Sequence, residues 1–196
     1  TVNLNNEDSG KVYMDLAWEL FQKQFQKTAE LTTFVELTFA SLLTRLGRYE
    51  KAVEHFDKAI AKANDQSFIE FENVDKPLVD VYLCREIEPL GGSVVIPEKI
   101  VALYKLILTL MKLNQIGKAK DVALSLESAV EEYPLTLPVN EVITHSMAGY
   151  AYKIIGNKEK AAEIFVSVLE YNPGHPPVTE ALESLCMSVN LGSEPH

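Results

Sequence analysis

Apolar residues recur three or four positions apart along most of the chain, a spacing that places side chains on one face of an α-helix. Around Ala52, for example, the residues Val53, Phe56, Ala59 and Ile60 fall on a single face. This pattern predicts helices at 11–27, 31–46, 49–63, 97–113, 116–132, 141–155, 158–171 and 178–189. Short connections that contain glycine favour antiparallel packing of neighbouring helices, so we expect the helices to form hairpins.

Residues 65–97 interrupt the pattern with prolines, a Gly-Gly pair and mixed periodicity. Pro77 favours the start of a helix that ends near Ile87. The stretches SFIEF and GGSVVI predict short extended pieces on either side of that helix. We therefore expect a single helical domain at 11–189 with an irregular insertion at about 65–97, a flexible lead-in at 1–10 and a tail at 190–196.

The charge balance weighs against two classes of partner. The chain has 196 residues, with 18 basic and 28 acidic side chains and a net charge of −10. Phosphate backbones are bound by clustered Lys and Arg, so we expect no nucleic acid as a partner. No apolar run approaches the ~18 residues of a membrane span, and an acidic protein suits an anionic membrane surface poorly, so we expect no membrane insertion.

Cysteine usage indicates a reducing environment. Cys84 and Cys186 lie far apart, and the sequence contains no Cys-x-x-Cys motif. We expect both thiols to be packed rather than paired, and the protein to be cytoplasmic, with the nucleus or another reducing compartment left open. The chain begins at Thr1, so we expect it to be a piece of a longer protein.

Three segments of the chain resemble one another. The segments LLTRLGRYEKAVEHFDKAI and YAYKIIGNKEKAAEIFVSVL align about Gly47 and Gly156. A weaker copy, LTLMKLNQIGKAKDVALSL, places Asn114 in the glycine position. The first separation is close to twice a unit of about 34 residues, which is typical of a helical repeat array.

These segments resemble the tetratricopeptide repeat. The last copy matches the family pattern at Gly149, Tyr152, Ala161, Phe165 and Pro173. The first copy matches it at Ala52 and Phe56, and the middle copy keeps Ala119. The repeats then fall at about 33–66, 100–133 and 142–175. The resemblance implies an all-α solenoid of stacked antiparallel hairpins, closed by a capping helix at about 178–189.

The resemblance also implies a concave groove lined by the first helix of each hairpin, which binds a partner peptide or amphipathic helix. The implied lining residues are Phe34, Leu37, Ser41, Val101, Tyr104, Lys105, Leu108, Ile143, Ser146, Met147 and Tyr150. Aspartate at both Tyr104 and Met147 is then expected to remove partner binding and to leave the fold intact. The alternative is that residues 65–96 of the same chain fill the groove.

The side chains implied for the groove limit the class of partner that it could bind. Family members that hold the acidic tails of chaperones carry a clamp of Lys, Asn and Arg, and the matching positions here are Leu37, Ser41, Lys105, Ile143 and Met147. Only one of these is basic, which disfavours chaperone C-terminal tails. We expect a non-catalytic scaffold or adaptor of a multiprotein assembly, with self-association as a further possibility. The alternative is a regulatory or substrate-presenting domain of a larger enzyme.

No pattern in the sequence predicts catalysis. His55, His145, His175 and His196 have no close spacing with one another or with cysteine, as zinc would require. Gly91–Gly92 is not followed by the Lys-Ser/Thr of a phosphate loop. We therefore predict no catalytic residue, no metal site and no cofactor. Two carboxylate pairs, Glu86–Glu88 and Glu131–Glu132, and the His55 side chain are expected to face solvent.

Overall fold

A computed structural model describes residues 32–64, 67–71, 80–87, 94–132 and 138–190. The predicted lead-in at 1–10 and the predicted helix at 11–27 lie outside the described residues, as does the tail beyond residue 190. Within the described residues the chain forms eight helices and two strands: α1 Thr33–Arg45, α2 Tyr49–Lys62, β1 Phe68–Phe71, α3 Val81–Ile87, β2 Val94–Pro97, α4 Glu98–Lys112, α5 Ile116–Glu132, α6 Pro138–Ile154, α7 Lys158–Tyr171 and α8 Pro176–Asn190.

The helix predictions agree closely with this order. The predicted spans 116–132 and 158–171 coincide with α5 and α7, and the other predictions within the described residues differ from the observed ends by no more than a few positions. The pairs α1–α2, α4–α5 and α6–α7 form hairpins, and neighbouring hairpins pack through α2 against α4 and through α5 against α6. The architecture is the predicted all-α stack of hairpins.

The three hairpin turns share one backbone conformation. Gly47, Asn114 and Gly156 have φ of 71°, 56° and 85°, in the left-handed region. In each turn the residue that follows donates its N–H to a carbonyl five positions earlier, as Arg48 does to Leu43 at 2.9 Å. This closure satisfies carbonyls that the helix end leaves unpaired. The alignment of Asn114 with the two glycines is therefore confirmed.

Small and large side chains alternate in the core between the helices. Ala52, Ala161 and Ala119 are fully buried, and so are the rings of Phe56 and Phe165. Small residues allow the helix backbones to approach, and the rings fill the remaining space at the density of a protein interior. These are the positions that carry the repeat pattern in the sequence.

The insertion contains a small antiparallel sheet and a short helix. β1 pairs with β2 in the register Ile69↔Ile96 and Phe71↔Val94, and the side chains of these four residues are buried. Strand alternation explains this, because every second residue points to the same face. The predicted extended pieces and the predicted helix end at Ile87 are confirmed.

The last helix, α8, packs on α7 and contacts α3 of the insertion. Its residues Val178, Ala181 and Leu185 are buried, whereas Glu180 and Glu183 are exposed. None of the described helices is long and apolar enough to cross a membrane.

Candidate functional site

The residues predicted to line the groove are mostly buried. Nine of them are no more than 9% exposed: Leu37, Ser41, Val101, Tyr104, Lys105, Ile143, Ser146, Met147 and Tyr150. Leu108 is partly buried, and Phe34 on α1 remains 42% exposed. In the described part of the chain, most of the face formed by the first helices is therefore closed to solvent.

Two hydroxyl groups of the predicted lining are engaged with their own helices. Ser41 Oγ donates to the carbonyl of Leu37 at 2.9 Å, and Ser146 Oγ donates to that of Val142 at 2.8 Å. Serine in a helix commonly satisfies its hydroxyl in this way when no other partner is present. Neither group points a free donor into the groove.

The insertion occupies part of the face formed by the first helices. Helix α3 packs on α6 and α8, and strand β2 packs on α4 and α6. Leu83, Glu86 and Ile87 of α3 are buried, whereas Val81 and Arg85 are exposed. Because residues three or four apart share a helix face, α3 presents one continuous side to the stack and the other to solvent. Part of the insertion, α3 and β2, thus packs on the first helices of the middle and last hairpins.

Asp80 begins α3 and also binds a basic side chain of the groove. Its Oδ1 accepts the backbone N–H groups of Tyr82 and Leu83 at 2.9 and 3.0 Å, which caps the helix. Its other oxygen lies 3.6 Å from Nζ of Lys105 on α4. The Asp80 carboxylate therefore caps α3 through one oxygen and forms an ion pair, without a hydrogen bond, with the first helix of the middle hairpin through the other.

Glu86 is held by two donors from different parts of the stack. The hydroxyl of Tyr150 on α6 donates to Oε1 at 2.7 Å, and Nε2 of His175 lies 2.6 Å from Oε2. The carboxylate is completely buried. The ring of Tyr82 stacks on that of Tyr150 with centroids 4.8 Å apart and planes at 25°. Together these contacts hold the ring of Tyr82 and the carboxylate of Glu86 against the stack.

The electrostatics of the groove follow from its burial. Burial raises the pKa of the Tyr150 phenol, and the Glu86 carboxylate raises it further, so the phenol stays a neutral hydrogen-bond donor. Burial lowers the pKa of Lys105, while the charge of Asp80 opposes that shift. Burial also raises the pKa of Tyr104, helped by Asp80. Carboxylates at positions 80 and 86 thus face the donors of the stack.

The burial of Glu86 corrects the sequence prediction that this carboxylate faces solvent. The residues that reasoning from sequence missed are Asp80, Tyr82, Glu86 and His175. A helix-capping signal marks Asp80, since it directly precedes an apolar run, but no local pattern marks the partners of Glu86. Glu131 and Glu132 are exposed, as predicted.

A second buried carboxylate joins the two helices of the first hairpin. Glu36 on α1 is 2% exposed, with Nδ1 of His55 at 2.6 Å and Nζ of Lys62 donating at 3.0 Å. Burial by itself would raise the pKa of Glu36, but the two hydrogen bonds and charges outweigh it and lower the pKa. His55 also meets the edge of the Phe39 ring. The prediction that His55 faces solvent is therefore wrong.

No group of three or more His, Cys, Asp or Glu side chains among the described residues is arranged to hold a metal ion. His145 is half-buried, and its Nδ1 lies 2.9 Å from the carbonyl oxygen of Glu141. A cavity of about 300 Å³ beside it, between α6 and α7, is lined mainly by apolar surface around Val142, Val168 and Tyr171.

Comparison with known proteins identifies a repeat family in two of the three hairpins. A family model of the tetratricopeptide repeat matches residues 37–61 and 144–175, which fall in the first and third hairpins. No curated protein and no solved structure matched the chain. The middle hairpin has the same left-handed turn and stacks between the two matched ones. The chain therefore contains tetratricopeptide repeats within an all-α stack of helical hairpins.

Proposed function

We propose that the protein is a non-catalytic scaffold that binds a helical segment of a partner protein on the face formed by α1, α4 and α6, as a subunit or adaptor of an assembly. Tetratricopeptide repeats generally mediate protein–protein interaction. One observation carries the proposal for this chain: the face already holds a short helix, α3, through an aromatic stack, a buried carboxylate and an apolar contact.

The first contacts with a partner are expected on the part of this face that α3 leaves accessible. Phe34 is 42% exposed there, and Leu108 is partly buried. Exposed aromatic side chains on a binding face supply large apolar area at small entropic cost. A cytoplasmic location is part of the proposal, supported by the wide separation of Cys84 and Cys186 in the sequence and by the lack of a Cys-x-x-Cys motif.

Site-specific photocrosslinking in cells tests this proposal. A benzophenone amino acid in place of Phe34 keeps an aromatic ring at the proposed contact, and the same amino acid in place of Leu124, which is 60% exposed on α5, serves as the control. A discrete protein adduct from position 34 that is absent from position 124 is the expected result. Adducts at position 124 alone would place the partner on the opposite face. Absence of any adduct from either position would contradict the scaffold function.

A further inference from the structure

The contacts of α3 specify the chemistry of the partner segment, an inference that rests on the function proposed above. We propose that this face recognises a short amphipathic helix with an aromatic side chain and a carboxylate four residues later, and that α3 occupies the site until such a partner displaces it. Tyr82 and Glu86 have this spacing, which puts both on one side of a helix.

The receptor is selective for an acidic helix because its polar groups are donors. Tyr150 and His175 meet the two oxygens of Glu86, and Lys105 meets Asp80. A buried donor that loses its acceptor is left unsatisfied, which weakens binding strongly. A partner helix without a carboxylate at the position of Glu86 therefore binds poorly. The exposed pair of Arg85 with Glu180, 3.5 Å apart, adds little selectivity because both groups are in water.

Helix α3 is short enough for a partner helix to displace it from the face formed by the first helices. It has seven residues, too few for a stable helix in isolation, so its structure depends on the surface beneath it. Its buried apolar contact comes mainly from Leu83 and Ile87. A buried carboxylate contributes specificity more than stability, since its desolvation offsets much of the gain from pairing. A partner helix that reproduces the same contacts over a greater length would outcompete α3.

Native-state hydrogen exchange on the unmodified chain is the first test. Amides of α3, such as that of Cys84, which donates to the carbonyl of Asp80 at 2.9 Å, are expected to exchange through local opening. We expect their protection to be at least ~100-fold below that of the slowest amides of α4 and α6. Equal protection in α3, α4 and α6 would mean that α3 leaves only when the whole domain unfolds, which would overturn the proposal.

A peptide in trans is the second test. The chain with Leu83→Asp, which disrupts the apolar side of its own α3, is titrated with a capped peptide of residues 80–87 carrying Cys84→Ser, up to about 1 mM, and binding is followed by NMR. The matched control is the same peptide with Glu86→Gln, expected to bind roughly 10- to 100-fold more weakly. Equal binding of the two peptides, or no binding to a folded variant, would overturn the proposed recognition.

The two proposals fail separately. If Leu83→Asp prevents folding, the exchange measurement on the unmodified chain still decides whether α3 opens. Slow exchange of α3 would contradict the proposal that a partner helix displaces it. A specific crosslink from position 34 in the same protein would still support the scaffold function. Local opening and selective peptide binding without any cellular crosslink would support the recognition site while contradicting the scaffold function.

Discussion

Phe165 lies where a side chain on Gly149 would have to go. A Cβ built on Gly149 would be 2.7 Å from Cδ1 of Phe165 and still closer to Cε1. The ring is fully buried and meets Tyr150 edge-on, with centroids 5.2 Å apart. Tyr150 in turn donates a hydrogen bond to Glu86 of α3. The close approach of α6 and α7 therefore also supports the position of α3 on α6.

Gly149→Ala is therefore expected to destabilise the domain by about 1–3 kcal/mol, the usual cost of overpacking a filled core. Gly117→Ala is the matched control, since a Cβ at Gly117 on α5 meets nothing within 4 Å. That change is expected to be neutral or to stabilise the domain by up to about 1 kcal/mol, because alanine favours the helix. Urea denaturation of both variants measures the difference, and equal stabilities would contradict the packing described here.

The helices were predictable because their signals are local. Apolar spacing, the glycines at 47 and 156 and the proline before α3 each act within a few residues, and the repeat alignment even identified Asn114 as a turn residue. The contacts of Glu86 were not predictable in this way. Its partners Tyr150 and His175 lie 64 and 89 residues away, and an acidic side chain next to Arg85 is expected at the surface.

The burial of the first helices could not be predicted from the sequence either. An apolar residue such as Val101 or Ile143 fits a groove lining and a core position equally well, since the helical period shows only that it shares a face with its neighbours. The packing of β2 on α4 and α6 and of α3 on α6 decides where the core ends. Near Phe34 the face is exposed, so a partner could bind this part of the predicted groove without displacing α3.

Tyr104→Asp alone is expected to unfold the domain, whereas the sequence led us to expect that aspartate at both Tyr104 and Met147 would remove only partner binding. Tyr104 is fully buried, and the Asp80 carboxylate is close enough to raise its pKa. A new carboxylate there would be desolvated beside an existing one, at a cost of more than about 4 kcal/mol. Tyr104→Phe keeps the ring and should change stability by less than about 1.5 kcal/mol. Circular dichroism melting separates the two, and a folded Tyr104→Asp chain would contradict the burial of this residue.

The left-handed backbone conformation at Gly156 predicts which substitutions there destabilise the domain most. Its φ of 85° is costly for an L side chain, although a Cβ there meets nothing within 4 Å, so any loss reflects backbone strain rather than a clash. Gly156→Ala should lose about 1–2 kcal/mol. Gly156→Asn should lose less, because asparagine tolerates this region, as Asn114 does in the middle hairpin. Thermal melts of both variants check the order, and an alanine variant at least as stable as the asparagine variant would rule out this explanation.

The ion pairs of Glu36 predict acid sensitivity in the first hairpin. Its pKa lies below the ordinary value of 4.5 in the folded state, so its carboxylate adds stability above that value, and this stability is lost as the pH falls through the lowered folded pKa. Glu36→Gln should cost about 1.5–3 kcal/mol at neutral pH, and the difference from the unmodified chain should shrink as the pH falls below 4.5. Glu54→Gln, at an exposed position on α2, is the control and should change stability by less than about 0.5 kcal/mol. Urea denaturation across the acid range measures both, and a Glu36→Gln deficit that stays constant with pH would show that the carboxylate is not charged in the folded hairpin.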